Sequence, residues 1–145
     1  MSVTETDRPQ TPSSAQVLGG LTAYLTMSDA RAASAFYQRA LGAKEISCMP
    51  PPGGDSSKVI HCHLHINGAS LFLSDGFPEH GHPATPHQGY GLVLNLDDID
   101  AWWKRAVDNG MEVVMPLQLM FWGDRYGQLR DPFGVSWSMN QPATN

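Results

Sequence analysis

The chain has little charge and little cysteine, and it contains no long apolar run. No stretch approaches the ~18 apolar residues that a membrane-crossing helix needs, so no membrane partner is expected. Only nine lysines and arginines occur, scattered through a chain of net charge -5. Without a basic cluster there is no electrostatic footprint for a phosphate backbone, which argues against DNA and RNA as partners. Two cysteines, Cys48 and Cys62, allow at most one disulfide in a domain large enough to fold without it, so a cytoplasmic location is expected. Nor does a Gly-rich turn join a strand to a helix as a nucleotide cofactor would require, and no nucleophile stands beside a recognisable base. The stretch Ser2–Gln16 is rich in Ser, Thr and Pro and lacks the basic and apolar parts of a secretory signal. Residues 1–17 are therefore read as a disordered tail.

What remains suits one α+β domain over residues 18–140, since 145 residues are enough for a single core. Gly20–Met27 alternates apolar and polar positions as a half-buried strand does. Ser28 or Asp29 can cap a helix whose apolar positions Ala33, Phe36, Tyr37, Ala40 and Leu41 recur at helical spacing, and Gly42 stops it. Ala43–Met49, Lys58–Ile66 and Ala69–Asp75 follow as strands, the last two joined by Asn67-Gly68, a pair that favours a type I′ hairpin. A linker, residues 76–89, rich in Gly and Pro, separates this module (about 18–75) from a second (about 90–140). There Gly91–Leu96 is a strand and Asp97 or Asp98 a cap. Ile99, Trp102, Trp103, Ala106 and Val107 form a buried helical stripe, and Met111–Met115, Asp124–Arg130 and Val135–Met139 are strands. Met27-Ser28-Asp29 aligns with Leu96-Asp97-Asp98, and Leu41-Gly42 with Asn109-Gly110, at an offset of 68 to 69 positions. This is an internal duplication, and each half is too small to cover its own sheet. The expected architecture is two βαβββ modules forming an eight-stranded curved sheet around a cavity, with the helices outside.

His61, His63 and His65 alternate along one strand, so their rings share a face. The Asn67-Gly68 turn sets His63 opposite Phe72, His61 opposite Ser74 and His65 opposite Ser70, while Leu64, Ile66, Leu71 and Leu73 take the helix side. The histidines then face the cavity. They either line a polar pocket or a solvated face or, in part, ligate a divalent metal through His61 and His63, with Asp75 as a further donor. Cys62 is out of phase with them and reads as a packing residue. His80, His82 and His87 fall in the linker as solvated groups.

Phe36-Tyr37 before Leu41-Gly42, Leu96-Asp97-Asp98-Ile99-Asp100-Ala101 and Arg130-Asp131-Pro132-Phe133-Gly134 together resemble the vicinal oxygen chelate superfamily of glyoxalases, bleomycin resistance proteins and ring-cleavage dioxygenases. Val59-Ile60-His61-Cys62, Leu73-Ser74-Asp75 and Phe121-Trp122-Gly123-Asp124-Arg125-Tyr126-Gly127 look most like its PhnB-like branch. Metal-dependent members place His, Gln or Glu at four inward positions, which the resemblance puts at Thr22, Phe72, Gly91 and Ser138. None of these is a good ligand, so no cofactor is expected. The resemblance implies a homodimer and a cavity-mouth position for Arg125, whose fork of donors suits a carboxylate or phosphate unless Asp124 or Asp131 pairs with it. Tyr24, Phe72, Phe121 and Trp122 could offer aromatic walls. The expected function is small-molecule binding or sequestration. The alternative is a divalent-metal lyase, isomerase or dioxygenase with a rebuilt histidine site.

Overall fold

The computed structural model describes residues 16–144. The expected tail over residues 1–17 therefore lies almost wholly outside the described residues. In chain order the elements are β1 (Ala23–Met27), α1 (Ala30–Leu41), β2 (Lys44–Met49), β3 (His61–Ile66), β4 (Ala69–Asp75), a short 3₁₀ turn (Pro78–His80), β5 (Leu92–Asn95), α2 (Ile99–Asp108), β6 (Glu112–Leu119), β7 (Arg125–Arg130) and β8 (Ser136–Gln141).

Each module repeats one topology: β1 pairs β4 in parallel and β5 pairs β8 in parallel, within the orders β1-β4-β3-β2 and β5-β8-β7-β6. The duplicated halves are thus βαβββ units, and the class is α+β. The eight strands are distributed over two four-stranded sheets, one from each module. The inner edges β1 and β5 share no ladder; they meet at a hollow of about 220 Å³ lined by Leu21, Ala23, Leu92 and Val93 among others.

Local chemistry sets the boundaries. Asp29 caps α1 by accepting from the Ala32 amide at 3.0 Å, and Gly42 ends the helix at φ 63, where a Cβ would be strained. Asn67 (φ 49) and Gly68 (φ 76) both take positive φ in the hairpin turn. β6 runs past the expected Met115 through Pro116, because an edge strand needs amides on one side only. Val107, expected in the buried stripe of α2, is exposed instead, leaving Ile99 and Ala106 as that helix's buried residues.

One apolar core joins both helices and the helix-side faces of both sheets. A buried carboxylate ties the modules together. Asp131 Oδ2 accepts from the Tyr37 hydroxyl of α1 at 2.5 Å and from Trp137 Nε1 at 2.9 Å, and Oδ1 accepts the Phe133 and Val135 amides. Burial and this carboxylate push the Tyr37 hydroxyl far above the ordinary tyrosine range. Arg105 of α2 donates to the carbonyls of Arg39 and Gln38 at the end of α1, where orphan carbonyls collect. Among the described residues, no helix is long and apolar enough to cross a membrane.

Candidate functional site

Strand alternation decides which way each side chain of β3 points. Cys62, Leu64 and Ile66 belong to the core beneath the helices, so His61, His63 and His65 stand on the opposite face. Register places His63 beside Phe72 and His65 beside Ser70 on β4, and Tyr24 of β1 beside Phe72. The rings form a row. Phe72 lies 4.8 Å from His61, 5.0 Å from His63 and 5.8 Å from Tyr24 between centroids, and His63 is 5.0 Å from His65. All but one of the contacts among Tyr24, Phe72 and the three histidines approach edge-to-face; Tyr24 is exposed, and Phe72, His61 and His65 are half-buried.

The polar atoms of this row are partly committed. Ser70 Oγ accepts the Leu18 amide at 2.7 Å, so its own hydrogen can go to His63 Nε2, also at 2.7 Å. That arrangement suits a neutral imidazole. His63 is only 5% exposed, and burial, followed by the neighbouring His65 and His61, pushes its pKa below the ordinary histidine value. His65 Nε2 donates to the Gln16 carbonyl at 2.9 Å. The Tyr24 hydroxyl donates to the Ile60 carbonyl at 3.2 Å and lies 3.4 Å from His61 Nδ1. At the Tyr24 end of this row is a hollow of about 300 Å³ lined by Tyr24, Thr26, Ile60, Ser74, Asp75, Phe77 and His82.

The second sheet presents its own face. Gly127 and Leu129 point toward the helix, where Trp103 packs so tightly that a Cβ on Gly127 would come within 2.6 Å of its ring. Tyr126 and Gln128 therefore point the other way. Gln128 donates to the Tyr126 hydroxyl at 3.0 Å, and that hydroxyl meets Ser138 Oγ at 2.9 Å. They line a hollow of about 410 Å³ with Tyr90, Gly91, Val93 and Val114. Neither Tyr126 nor Gln128 is among the site residues expected from the sequence, although the alternation Tyr126-Gly127-Gln128-Leu129 carries the signal.

Arg125 shares the strand parity of Gly127 and Leu129, so its side chain lies toward α2. Its guanidinium makes a two-pronged bond to Asp100, at 2.7 and 2.9 Å, and this holds the Asp100 carboxyl below its usual pKa. The pairing partner is thus neither Asp124 nor Asp131. Asp124 accepts the Ala143 amide instead, and Asp131 is the buried tie described above. Phe121 and Trp122 pack on each other in the β6–β7 turn, 4.7 Å between centroids, but are 96% and 50% exposed and touch neither hollow. A further groove of about 310 Å³ lies on the helix side; Arg105, which lines it, is spent on the α1 carbonyls.

The metal positions implied by the resemblance can be tested on their donors. Thr22 and Ser138 offer hydroxyls, Phe72 a phenyl ring and Gly91 nothing, a set that does not fit a divalent ion wanting imidazole, carboxylate or thiolate. Ser138 is moreover bonded to Tyr126. The alternative pair, His61 and His63, finds no third donor in Asp75. That carboxylate lies on the helix side, with Oδ1 accepting the Ala30 amide at 2.8 Å and Oδ2 the Val59 amide at 2.7 Å. Among the described residues, the group of three metal-ligating side chains within mutual reach is Glu45, Cys48 and Cys62, on the other side of β3.

Known proteins resemble this chain in sequence and fold. An uncharacterized protein of Mycobacterium tuberculosis is 40% identical over 128 residues, covering 84% of this chain and 74% of that one. Protein YjdN of Escherichia coli is 30% identical over 128 residues, covering 74% of this chain and 84% of its own. Among solved structures, TnmS3, an antibiotic binding protein from Streptomyces, superposes with a TM-score of 0.64 at 27% identity, covering 88% of this chain and 96% of its own. The family model for glyoxalase, bleomycin resistance protein and dioxygenase matches residues 18–139. The chain belongs to the glyoxalase/bleomycin resistance protein/dioxygenase superfamily.

Proposed function

We propose that this protein binds a small planar, weakly polar compound on the faces of its sheets that lie away from the helices, and acts as a binding or sequestering protein. The observation that carries the reading is the row Tyr24, His61, Phe72 and His63. Four rings stand side by side with few charges among them, the wall that aromatic guests prefer. Similarity to an antibiotic binding protein supports a small-molecule ligand.

Neither hollow encloses a guest by itself, whereas a drug-sized ligand loses most of its surface on binding. We infer that a second copy closes the site, which gives the expected homodimer a physical motive. The reading uses no divalent ion at Thr22, Phe72, Gly91 and Ser138.

Thermal melting with bleomycin and a panel of planar aromatic antibiotics tests it. A compound present at roughly a hundred times its Kd stabilises the native state by about 2.7 kcal/mol, a shift of several degrees. The expected result is such a shift for the wild type and its loss in Phe72→Ala and Tyr24→Ala. A panel that shifts nothing, or a shift indifferent to both substitutions, contradicts the proposal. So does stoichiometric zinc, manganese or iron in untagged protein that disappears in His63→Ala.

A further inference from the structure

On the helix side of the first sheet, Cys48 and Cys62 are directly opposed across β2 and β3. With Glu45 they bring two sulfurs and a carboxylate oxygen within 4.8 Å of one another. Ligand atoms around a tetrahedral zinc stand roughly 3.5 Å apart, given bonds of about 2.0–2.3 Å. A contraction of about 1 Å would therefore close the three donors on an ion.

From this geometry we infer a site for a thiophilic divalent cation of the zinc class at Glu45, Cys48 and Cys62, independent of the ring row on the other face of β3. The surroundings suit it. Ser34 and Gln38 of α1 both donate to Glu45 Oε2 at 3.2 Å, fixing the carboxylate and leaving Oε1 to a cation. Ser34 is buried and braced by Gln38 at 3.1 Å. Cys62 is fully buried, Cys48 half-buried and Glu45 exposed on an edge strand, so an ion can enter from solvent and settle inward.

Two features act against ion capture. Burial raises both thiols, Cys62 to about 12, so the apo site holds protons; a coordinated thiol releases its proton outright, which makes binding weaken as pH falls. Arg31 also stands 3.9 Å from the Cys48 sulfur. Its side chain is exposed and can swing aside.

Cadmium chloride titrated into untagged, reduced protein, in a buffer that does not chelate, tests the site. The expected result is a thiolate-to-cadmium charge-transfer band that saturates at one equivalent, together with a higher melting temperature. Cys48→Ala should abolish the band, and Glu45→Gln should weaken binding tenfold or more. His63→Ala should leave it unchanged, which separates this site from any ion held by the histidine row. Glu45 is exposed, so its variant tests the site even where a cysteine variant folds poorly. No band at one equivalent, or a band of equal strength and affinity in Cys48→Ala and Glu45→Gln, overturns the inference.

Discussion

Burial holds the His63 imidazole below the ordinary histidine range, and that has a consequence for stability. The unfolded chain takes up this proton near pH ~6.5, while the folded chain takes it up only at lower pH. Below about pH 6.5 the unfolded state therefore binds more protons, and stability falls as pH falls through the folded pKa; above that range the group adds no pH dependence. The melting temperature of the wild type should drop more steeply between pH 7 and pH 5 than that of His63→Gln. Equal slopes would show that His63 is not buried in its neutral form. Asp131 and Asp75 are the other residues of consequence. Each spends its carboxylate on neutral donors within the fold, the first on Tyr37, Trp137 and two amides, the second on the amides of Ala30 and Val59. Such carboxylates are structural braces, since removing one would strand several buried donors, each costing about 1–3 kcal/mol.

Among the elements, β6 stands apart. It is the edge of its sheet, and most of its side chains on both faces are exposed, including Val113, Val114 and a Leu119 that is 72% exposed. The turn that follows carries Phe121 and Trp122 outward. An apolar edge of this kind invites pairing with another chain, and a standard interface buries about 1,600 Å² in all. Sedimentation velocity at micromolar concentration should show a dimer, and Leu119→Asp with Phe121→Asp should give a folded monomer. A monomeric wild type would remove the proposed second wall of the site. The elements themselves were legible where periodicity was strong. Asp29, Gly42 and Asn67-Gly68 act by local backbone chemistry, so the sequence locates them to within a residue or two. Tertiary context escaped that reading. The parity that turns Arg125 toward Asp100 depends on Gly127 admitting the Trp103 ring, a long-range fit that no local pattern encodes. Likewise, the separation into two sheets follows from β1 and β5 facing one hollow without a backbone ladder between them.

For the molecule as a whole, duplication explains both the shared core and the divided site. Helices from the two modules pack together, and Asp131 and Arg105 lock the halves, which leaves the ring row on one sheet, with a hollow at its Tyr24 end, and the Tyr126-Gln128-Ser138 cluster in a hollow of the other. The histidine stripe could be read in the sequence because period two is local. The commitment of its atoms to Ser70 and Gln16 could not, because those partners come from elsewhere in the chain. The most direct test of the account is an NMR titration of histidine ring and tryptophan indole signals with the compound that most raises the melting temperature. The account predicts saturable shifts in the His61, His63 and His65 rings with the Trp102 and Trp103 indoles unmoved; shifts confined to the indoles would place the ligand on the helix side and contradict it.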